Sequence, residues 1–250
     1  MKSYKYKNIQ IKYVDEGDGE VIVLLPGNTA SSAVHGGEIS FFSSFYRVLC
    51  PDYIGYGKSD RVEKFSKDFF FENAKMIGEL TKSLGIREYN VIGTSGGGIM
   101  ALNVSIQYPG VVKSVVADSI PGEWISAEYA RKVASERNQN LDEQIEFWRF
   151  AHGDDWESVI NMDTEMILEQ AESGESLYGD RLTEIDCPVL ITASLQDDEI
   201  ENIEEKHKNI CSQIKNVKTY YHKDGSHPLM WSRPEIFREY VMNFLKSTSS

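Results

Sequence analysis

"VIGTSGGGIM", residues 91–100, is an apolar run that breaks at a cluster of glycines with Ser95 in their midst. Two chemistries use such a stretch. Gly93-Thr94-Ser95-Gly96-Gly97 fits G-x-S-x-G, in which a serine is presented on a strand-to-helix turn so tight that glycines on both flanks relieve clashes. Gly96, Gly98 and Ala101 also fit G-x-G-x-x-A, a phosphate-cradling turn, and Asp118 ends the next apolar run where a ribose-binding acid would stand.

The surrounding elements weigh one reading against the other. Upstream, residues 4–13 alternate like a strand, and "VIVLLPG" (21–27) and "YRVLCPD" (46–52) are short apolar runs typical of buried strands. "KDFFFENAKMIGELTKSLG" (67–85) places Phe70, Ala74, Ile77, Leu80, Thr81 and Leu84 near one helical face and ends on Gly85, a suitable helix stop. Downstream, strands 89–94, 112–119, 187–194 and 217–224 alternate with helices 96–110, 201–214 and 234–246. The alternation predicts an α/β fold, a mostly parallel central sheet with helices on both faces and its chemistry at the carboxyl ends of the strands. A dinucleotide fingerprint normally opens the first strand-helix unit of its domain, whereas two buried strands and a helix precede this one. The other glycine loop, Gly55-Tyr-Gly57-Lys-Ser-Asp60, lacks the third glycine and has Asp52 where a P-loop needs glycine. The nucleophile reading is the stronger.

Residues 120–185 break the alternation. "SAEYARKVASERN", "LDEQIEFWRFAHG" and "DWESVINMDTEMILEQAE" read as helices with no strand between them. An insertion between two strands of a parallel sheet emerges at the sheet's edge, so 120–185 is expected to form a helical cap over a core of residues 1–119 and 186–250. Trp124, Trp148 and Trp156 lie in this cap; they are candidates for an acyl pocket, although tryptophans at helical spacing more often pack.

A serine hydroxyl needs a base to take its proton and an acid to orient that base. "CPVLITASLQDDE" offers Asp197 and Asp198 just past a strand, and "VKTYYHKDGSHPLMW" offers His227 just past the next. The thirty residues between acid and histidine hold one helix and one strand, which returns the chain to the same edge. Met230 and Trp231 follow the histidine on a helix start, close enough to wall the site. His35 is a candidate to touch substrate, although a surface or loop-bracing histidine is the commoner case, and His152, His207 and His222 are expected to be structural. The acidic runs at 165–175 and 197–205 read as solvated faces.

Bulk properties set the boundaries. A chain of 250 residues, 41% hydrophobic, suits one large core. A formal charge of -13 repels phosphate backbones and anionic membrane surfaces, so a small molecule rather than nucleic acid or membrane is the expected partner. Three cysteines, Cys50, Cys187 and Cys211, have no C-x-x-C spacing, and the five histidines include no H-E-x-x-H pair. No disulfide framework, metal or cofactor is expected, and the compartment expected is the cytoplasm.

From about residue 4 to residue 246 the chain resembles the α/β-hydrolase superfamily, through "PGNTASS", "PDYIGYGKSD", "GTSGGG", "PVLITASLQDD" and "GSHPLMWSRPE". "HGDDWESVI" further resembles the branch of biphenyl-hydrolase-like and valacyclovir-hydrolase-like serine esterases. The resemblance implies a serine hydrolase of small esters, with thioesters or amides as lesser alternatives, acting through an acyl-enzyme, with Ser95, Asp197 and His227 catalytic and the amides of Asn28 and Gly96 forming an oxyanion hole. It makes the "GYGKS" loop structural. Three positions depart from the family pattern. Pro26 replaces a histidine that braces the oxyanion loop, Ser194 replaces a glycine before the acid, and Gly96 stands where amino-acid-ester hydrolases hold a substrate amine with aspartate. A serine nucleophile also separates the chain from the aspartate-based dehalogenases and epoxide hydrolases of the same fold. Carbon-carbon bond hydrolysis by the same three residues, or a non-catalytic ligand receptor, are the other functions this resemblance allows.

Overall fold

A computed structural model describes residues 1–248. Its strands are β1 (Lys2–Tyr6), β2 (Ile9–Glu16), β3 (Val21–Leu25), β4 (Arg47–Pro51), β5 (Tyr89–Thr94), β6 (Val112–Asp118), β7 (Val189–Ser194) and β8 (Val217–His222). Its helices are α1 (Gly36–Ser43), α2 (Phe69–Ser83), α3 (Gly96–Gln107), α4 (Ala127–Arg137), α5 (Asp142–His152), α6 (Trp156–Ser173), α7 (Ile203–Gln213), α8 (Leu229–Ser232) and α9 (Pro234–Thr248). The strands form one sheet in the order β1-β2-β4-β3-β5-β6-β7-β8, antiparallel across β1-β2-β4 and parallel from β4 to β8.

The single strand expected over residues 4–13 is a hairpin. Lys7, at φ 52, turns the chain between β1 and β2, and period-2 patterning continues on both sides of the turn. Polar side chains alternate the same way in either case, so periodicity alone does not reveal the reversal.

The pleat sorts the buried strands into two cores. Val23, Leu25, Val91, Val115, Ala117, Val189 and Ile191 face a cluster shared with Ala74, Ile77 and Leu80 of α2 and Ile99 and Leu102 of α3. Ile22, Leu24, Ile92, Val116 and Leu190 face the opposite cluster with Ile39 and Phe42 of α1 and Phe237, Val241 and Phe244 of α9. Burying both faces accounts for near-continuous apolar strands such as "VIVLL".

Between β6 and β7 the chain forms α4, α5 and α6, with α4 and α5 both packed against α6. The start of α4 is set by Ser126, whose hydroxyl accepts the backbone N–H of Tyr129 at 3.1 Å. α6 ends at Gly174 in the left-handed conformation, φ 63. α4–α6 stand over the carboxyl ends of the parallel strands and contribute Tyr129, Val133, Phe147, Trp148 and Ile167 to the wall of a cavity there.

Candidate active site

Ser95 lies between β5 and α3 with φ 53 and ψ -123, a conformation that directs a side chain out of the turn. Backbone packing leaves no room for side chains around it. A Cβ on Gly97 would strike the carbonyls of Leu25 and Pro26, and one on Gly96 would strike the Asn28 side chain. The turn is tied to the next strand by the Ser95 N–H, which donates to the Asp118 carbonyl at 2.7 Å.

The Ser95 hydroxyl stands 3.0 Å from Nε2 of His227, and Nδ1 of the same ring stands 2.8 Å from Oδ2 of Asp197. Asp197 is fully buried as a side chain, and its Oδ1 accepts the N–H groups of Glu199 at 3.0 Å and Ile200 at 2.8 Å. Asp198 takes a different part of the histidine: its Oδ1 accepts the His227 backbone N–H at 2.8 Å. Burial would lower the His227 pKa, but the Asp197 hydrogen bond and the charges of Glu199, Asp197 and Asp118 outweigh it and leave the pKa above 6.5. Such a chain can draw the proton from a hydroxyl while holding the resulting imidazolium.

Beside Ser95 runs the loop after β3, with Asn28 next to Gly96, the first residue of α3. The first N–H groups of a helix have no partner within it and carry the positive end of its dipole, so Gly96 offers an amide to an anion. The loop has three braces. Tyr53 donates its hydroxyl to the Pro26 carbonyl at 2.7 Å. His152 accepts the Gly57 N–H on Nδ1 at 3.0 Å, so its proton is on Nε2, which donates to the Thr29 carbonyl at 2.9 Å. The Asn28 carboxamide donates to Oδ2 of Asp163 at 2.7 Å, and Tyr56 donates to the same oxygen. Asp163 is fully buried and pairs with Arg137 at 2.7 Å, so α4 and α6 hold the loop through a charged network. No sequence signal reveals this network, because its members come from four separate segments.

Ser194 donates to the Gly225 carbonyl at 2.5 Å, joining the end of β7 to the loop that carries His227. Asp118, the acid considered for a ribose, is fully buried and accepts the hydroxyls of Thr94 and Thr192 and the N–H of Met230. Burial pushes its pKa up to about 6 against those three hydrogen bonds. It ties β5, β6 and β7 to the segment after His227. Asp52 likewise serves the glycine loop, accepting the N–H groups of Ser32 and Lys58 at 2.8 Å each.

A cavity of about 360 Å³ opens on Ser95 and His227. Trp148 and Trp231 line it, together with Phe70, Tyr129, Phe147 and Ile167. Two expected wall residues do not. Met230 is fully buried in the core with Val241 and Phe244, because the short α8 turns it inward while Trp231 faces out. Trp124 is 48% exposed and lies outside this cavity, on the chain before α4 begins. Trp156 backs Trp148, their rings stacked at 5.5 Å. His35 is fully buried against Trp231, ring centroids 5.2 Å apart. Glu199 was to be expected on a solvated face; it lines the cavity instead, with Oε2 3.9 Å from His227 Nε2. Among the described residues no group of three or more His, Cys, Asp or Glu is placed to hold a metal ion, and no helix is long and apolar enough to cross a membrane.

The chain is 35% identical over 107 residues to haloalkane dehalogenase 2 of Mycobacterium tuberculosis, a match over 43% of this chain and only 37% of the dehalogenase's length. It is 24% identical to a 2-hydroxy-6-oxononadienedioate/2-hydroxy-6-oxononatrienedioate hydrolase of a Pseudomonas species, covering 95% of this chain and 92% of the relative. Two solved structures share the fold at 18% identity: an esterase from Exiguobacterium antarcticum, covering 95% of this chain and 96% of its own, and a meta-cleavage product hydrolase from Pseudomonas fluorescens, covering 100% and 98%, each with a TM-score of 0.76. The family model for the alpha/beta hydrolase fold matches residues 20–145, half of the chain and the whole unit from β3 through Ser95 and α3 to β6, and the chain belongs to that family.

Proposed function

We propose that the protein is a cytoplasmic serine hydrolase that cleaves a small ester through an acyl-enzyme. The observation that carries the reading is the unbroken line of polar contacts from the Ser95 hydroxyl through His227 to Asp197, at 3.0 and 2.8 Å. In this reading Ser95 attacks the carbonyl carbon as His227 takes its proton, and the amides of Asn28 and Gly96 receive the charge that develops on the carbonyl oxygen. His227 then protonates the leaving alcohol, and water repeats the sequence on the acyl-enzyme. Residues 120–185 act as the cap that shapes the acyl site. Free Cys50, Cys187 and Cys211 are in keeping with a reducing compartment.

The cavity wall favours a neutral ester over the dienedioate of the Pseudomonas relative. Among the described residues that line the cavity Arg137 is the one arginine or lysine, and Asp163 already neutralises it, whereas Glu136, Glu143 and Glu199 add three carboxylates. A dianion would enter against that charge. The volume, near the lower end of the usual range of roughly 300–1,000 Å³ for small-molecule sites, favours a short acyl group.

The reading is tested by labelling with a fluorophosphonate probe and by turnover of a nitrophenyl ester series. Label on Ser95, absent from Ser95→Ala, together with rapid turnover of short neutral esters is the expected result. A wild-type protein that neither labels nor turns over any ester overturns the proposal.

A further inference from the structure

Glu199 meets the Asp197-His227 pair from two sides. Its backbone N–H donates to Oδ1 of Asp197 at 3.0 Å, while its side chain reaches the cavity and brings Oε2 to 3.9 Å from the His227 nitrogen that faces Ser95. The Glu199 carbonyl accepts Lys132 Nζ of α4 at 3.3 Å, and the Asp198 carbonyl accepts the same ammonium at 2.7 Å. The loop that carries the acid is therefore fixed at its own carboxylate and against the helical segment above. From this anchored backbone the Glu199 side chain, 46% exposed, reaches the cavity.

We infer that Glu199 orients the water that hydrolyses the acyl-enzyme, a role that rests on the serine-hydrolase reading above. A direct ion pair at 3.9 Å is longer than a hydrogen bond, but the gap fits one bridging oxygen. Two hydrogen bonds of ~2.8 Å converging from atoms that far apart subtend roughly 90° at that oxygen, close to the ~105° between the two O–H bonds of water. One O–H points at Nε2 and the other at the carboxylate, which leaves a lone pair for the acyl carbon. The water oxygen forms its bond to that carbon as its proton passes to Nε2. The tetrahedral intermediate then collapses, the carbon–Oγ bond breaks, and Oγ takes the proton back from His227, releasing the carboxylic acid and free Ser95. Glu199 accepts a hydrogen bond without taking the proton, and faces a ring that also feels Asp197 and Asp118.

The placement makes a prediction about alcohols as acceptors. Methanol has one O–H to give, so it has no second hydrogen bond for Glu199 to hold, and its attack depends less on the carboxylate than that of water does. Glu199→Ala retains the backbone N–H to Asp197, so it removes the side chain without removing that brace.

The test is pre-steady-state hydrolysis of nitrophenyl acetate by wild type, Glu199→Ala and Glu199→Gln, with and without methanol, and with acyl-enzyme followed by intact-protein mass. Glu199→Ala is expected to slow deacylation at least about tenfold while acylation changes less than about threefold. Acetyl-enzyme accumulates, and the methanolysis-to-hydrolysis ratio rises. Glu199→Gln, whose amide oxygen still accepts, restores part of the deacylation rate. If wild type never acylates on Ser95, the serine-hydrolase reading fails and this role with it. If wild type acylates but Glu199→Ala slows both steps equally, slows neither, or leaves the methanol ratio unchanged, the role of Glu199 alone is overturned.

Discussion

Asp197 and His227 meet side chain to side chain at 2.8 Å, whereas the adjacent Asp198 reaches the same histidine only through its backbone N–H, also at 2.8 Å. Neighbouring residues leaving a strand point in different directions, and here the two carboxylates divide one histidine between ring and main chain. Their losses should therefore differ. Asp197→Asn leaves the ring without its orienting charge, and kcat is expected to fall at least about a hundredfold, within a range that reaches about 10⁴ in a well-studied triad. Asp198→Asn keeps an oxygen that can accept the N–H and should stay within about tenfold, roughly 1.4 kcal/mol of barrier. Steady-state kinetics on a short nitrophenyl ester separates the two; the reverse ranking would move the orienting role to Asp198.

The tryptophans give a second contrast. Trp148 and Trp231 line the cavity, Trp124 does not, and Trp156 touches it only through Trp148. Trp148→Ala and Trp231→Ala should change the ratio of kcat/KM between long and short acyl esters. Trp124→Ala should leave that ratio within about twofold, since a half-exposed ring outside the cavity has no purchase on the transition state. Equal effects of all three across the ester series would mean that none selects the acyl group.

These contrasts mark where the sequence can be read and where it cannot. The apolar run ending in Gly93-Thr94-Ser95-Gly96-Gly97 shows its strand-to-helix turn because a short tight turn requires glycine locally, and β7 shows its edge because its apolar run stops at a polar loop. The strand-helix alternation gives the parallel sheet for the same local reasons. Met230 and Trp231 are adjacent letters with opposite fates, one in the core and one on the cavity wall, and a four-residue helix carries no periodicity to assign them. Glu199 sits in an acidic run whose members Glu201, Glu204 and Glu205 are exposed as it is, so nothing in the run marks it as the carboxylate that joins Asp197 beside His227. Arg137 and Asp163 become partners only when α4 packs on α6, a tertiary event that composition does not encode.

That buried pair supports a third prediction. Asp163→Asn leaves the Arg137 guanidinium, 12% exposed, without its counter-charge and weakens the acceptor used by Asn28 and Tyr56. Breaking one side of such a pair costs about 3–5 kcal/mol, which urea unfolding would register. Replacing both sides, Asp163→Leu with Arg137→Met, should recover part of the stability because apolar packing substitutes for a buried pair, less the cost of leaving the Asn28 and Tyr56 donors without their acceptor. Activity should not recover with it, since Asn28 has still lost its tether. Recovery of both would mean that the network serves packing alone.

The last prediction concerns acid. His35 and His152 are both buried, and burial lowers each pKa to about 4, with the Thr29 carbonyl partly opposing this at His152. In the unfolded chain both titrate near 6.5, so below that value the unfolded state binds protons that the native state refuses. The sign follows: neither histidine costs stability at pH 7, and each loses it as pH falls from about 6.5 to about 4, by about 3 kcal/mol when titration is complete. The two rings nevertheless differ at neutral pH. His152 makes two hydrogen bonds to backbone, whereas neither nitrogen of His35 has a partner among the described residues. His35→Leu therefore removes an unsatisfied buried polar group at little cost in volume, and should hold stability at pH 7 within about 1 kcal/mol while making the protein more resistant to acid. His152→Leu orphans the Gly57 N–H and the Thr29 carbonyl, and should cost about 2–4 kcal/mol at pH 7. Urea midpoints measured from pH 7 to pH 4.5 check both; if His35→Leu unfolds as readily as wild type at the acid end, His35 does not contribute to the acid sensitivity.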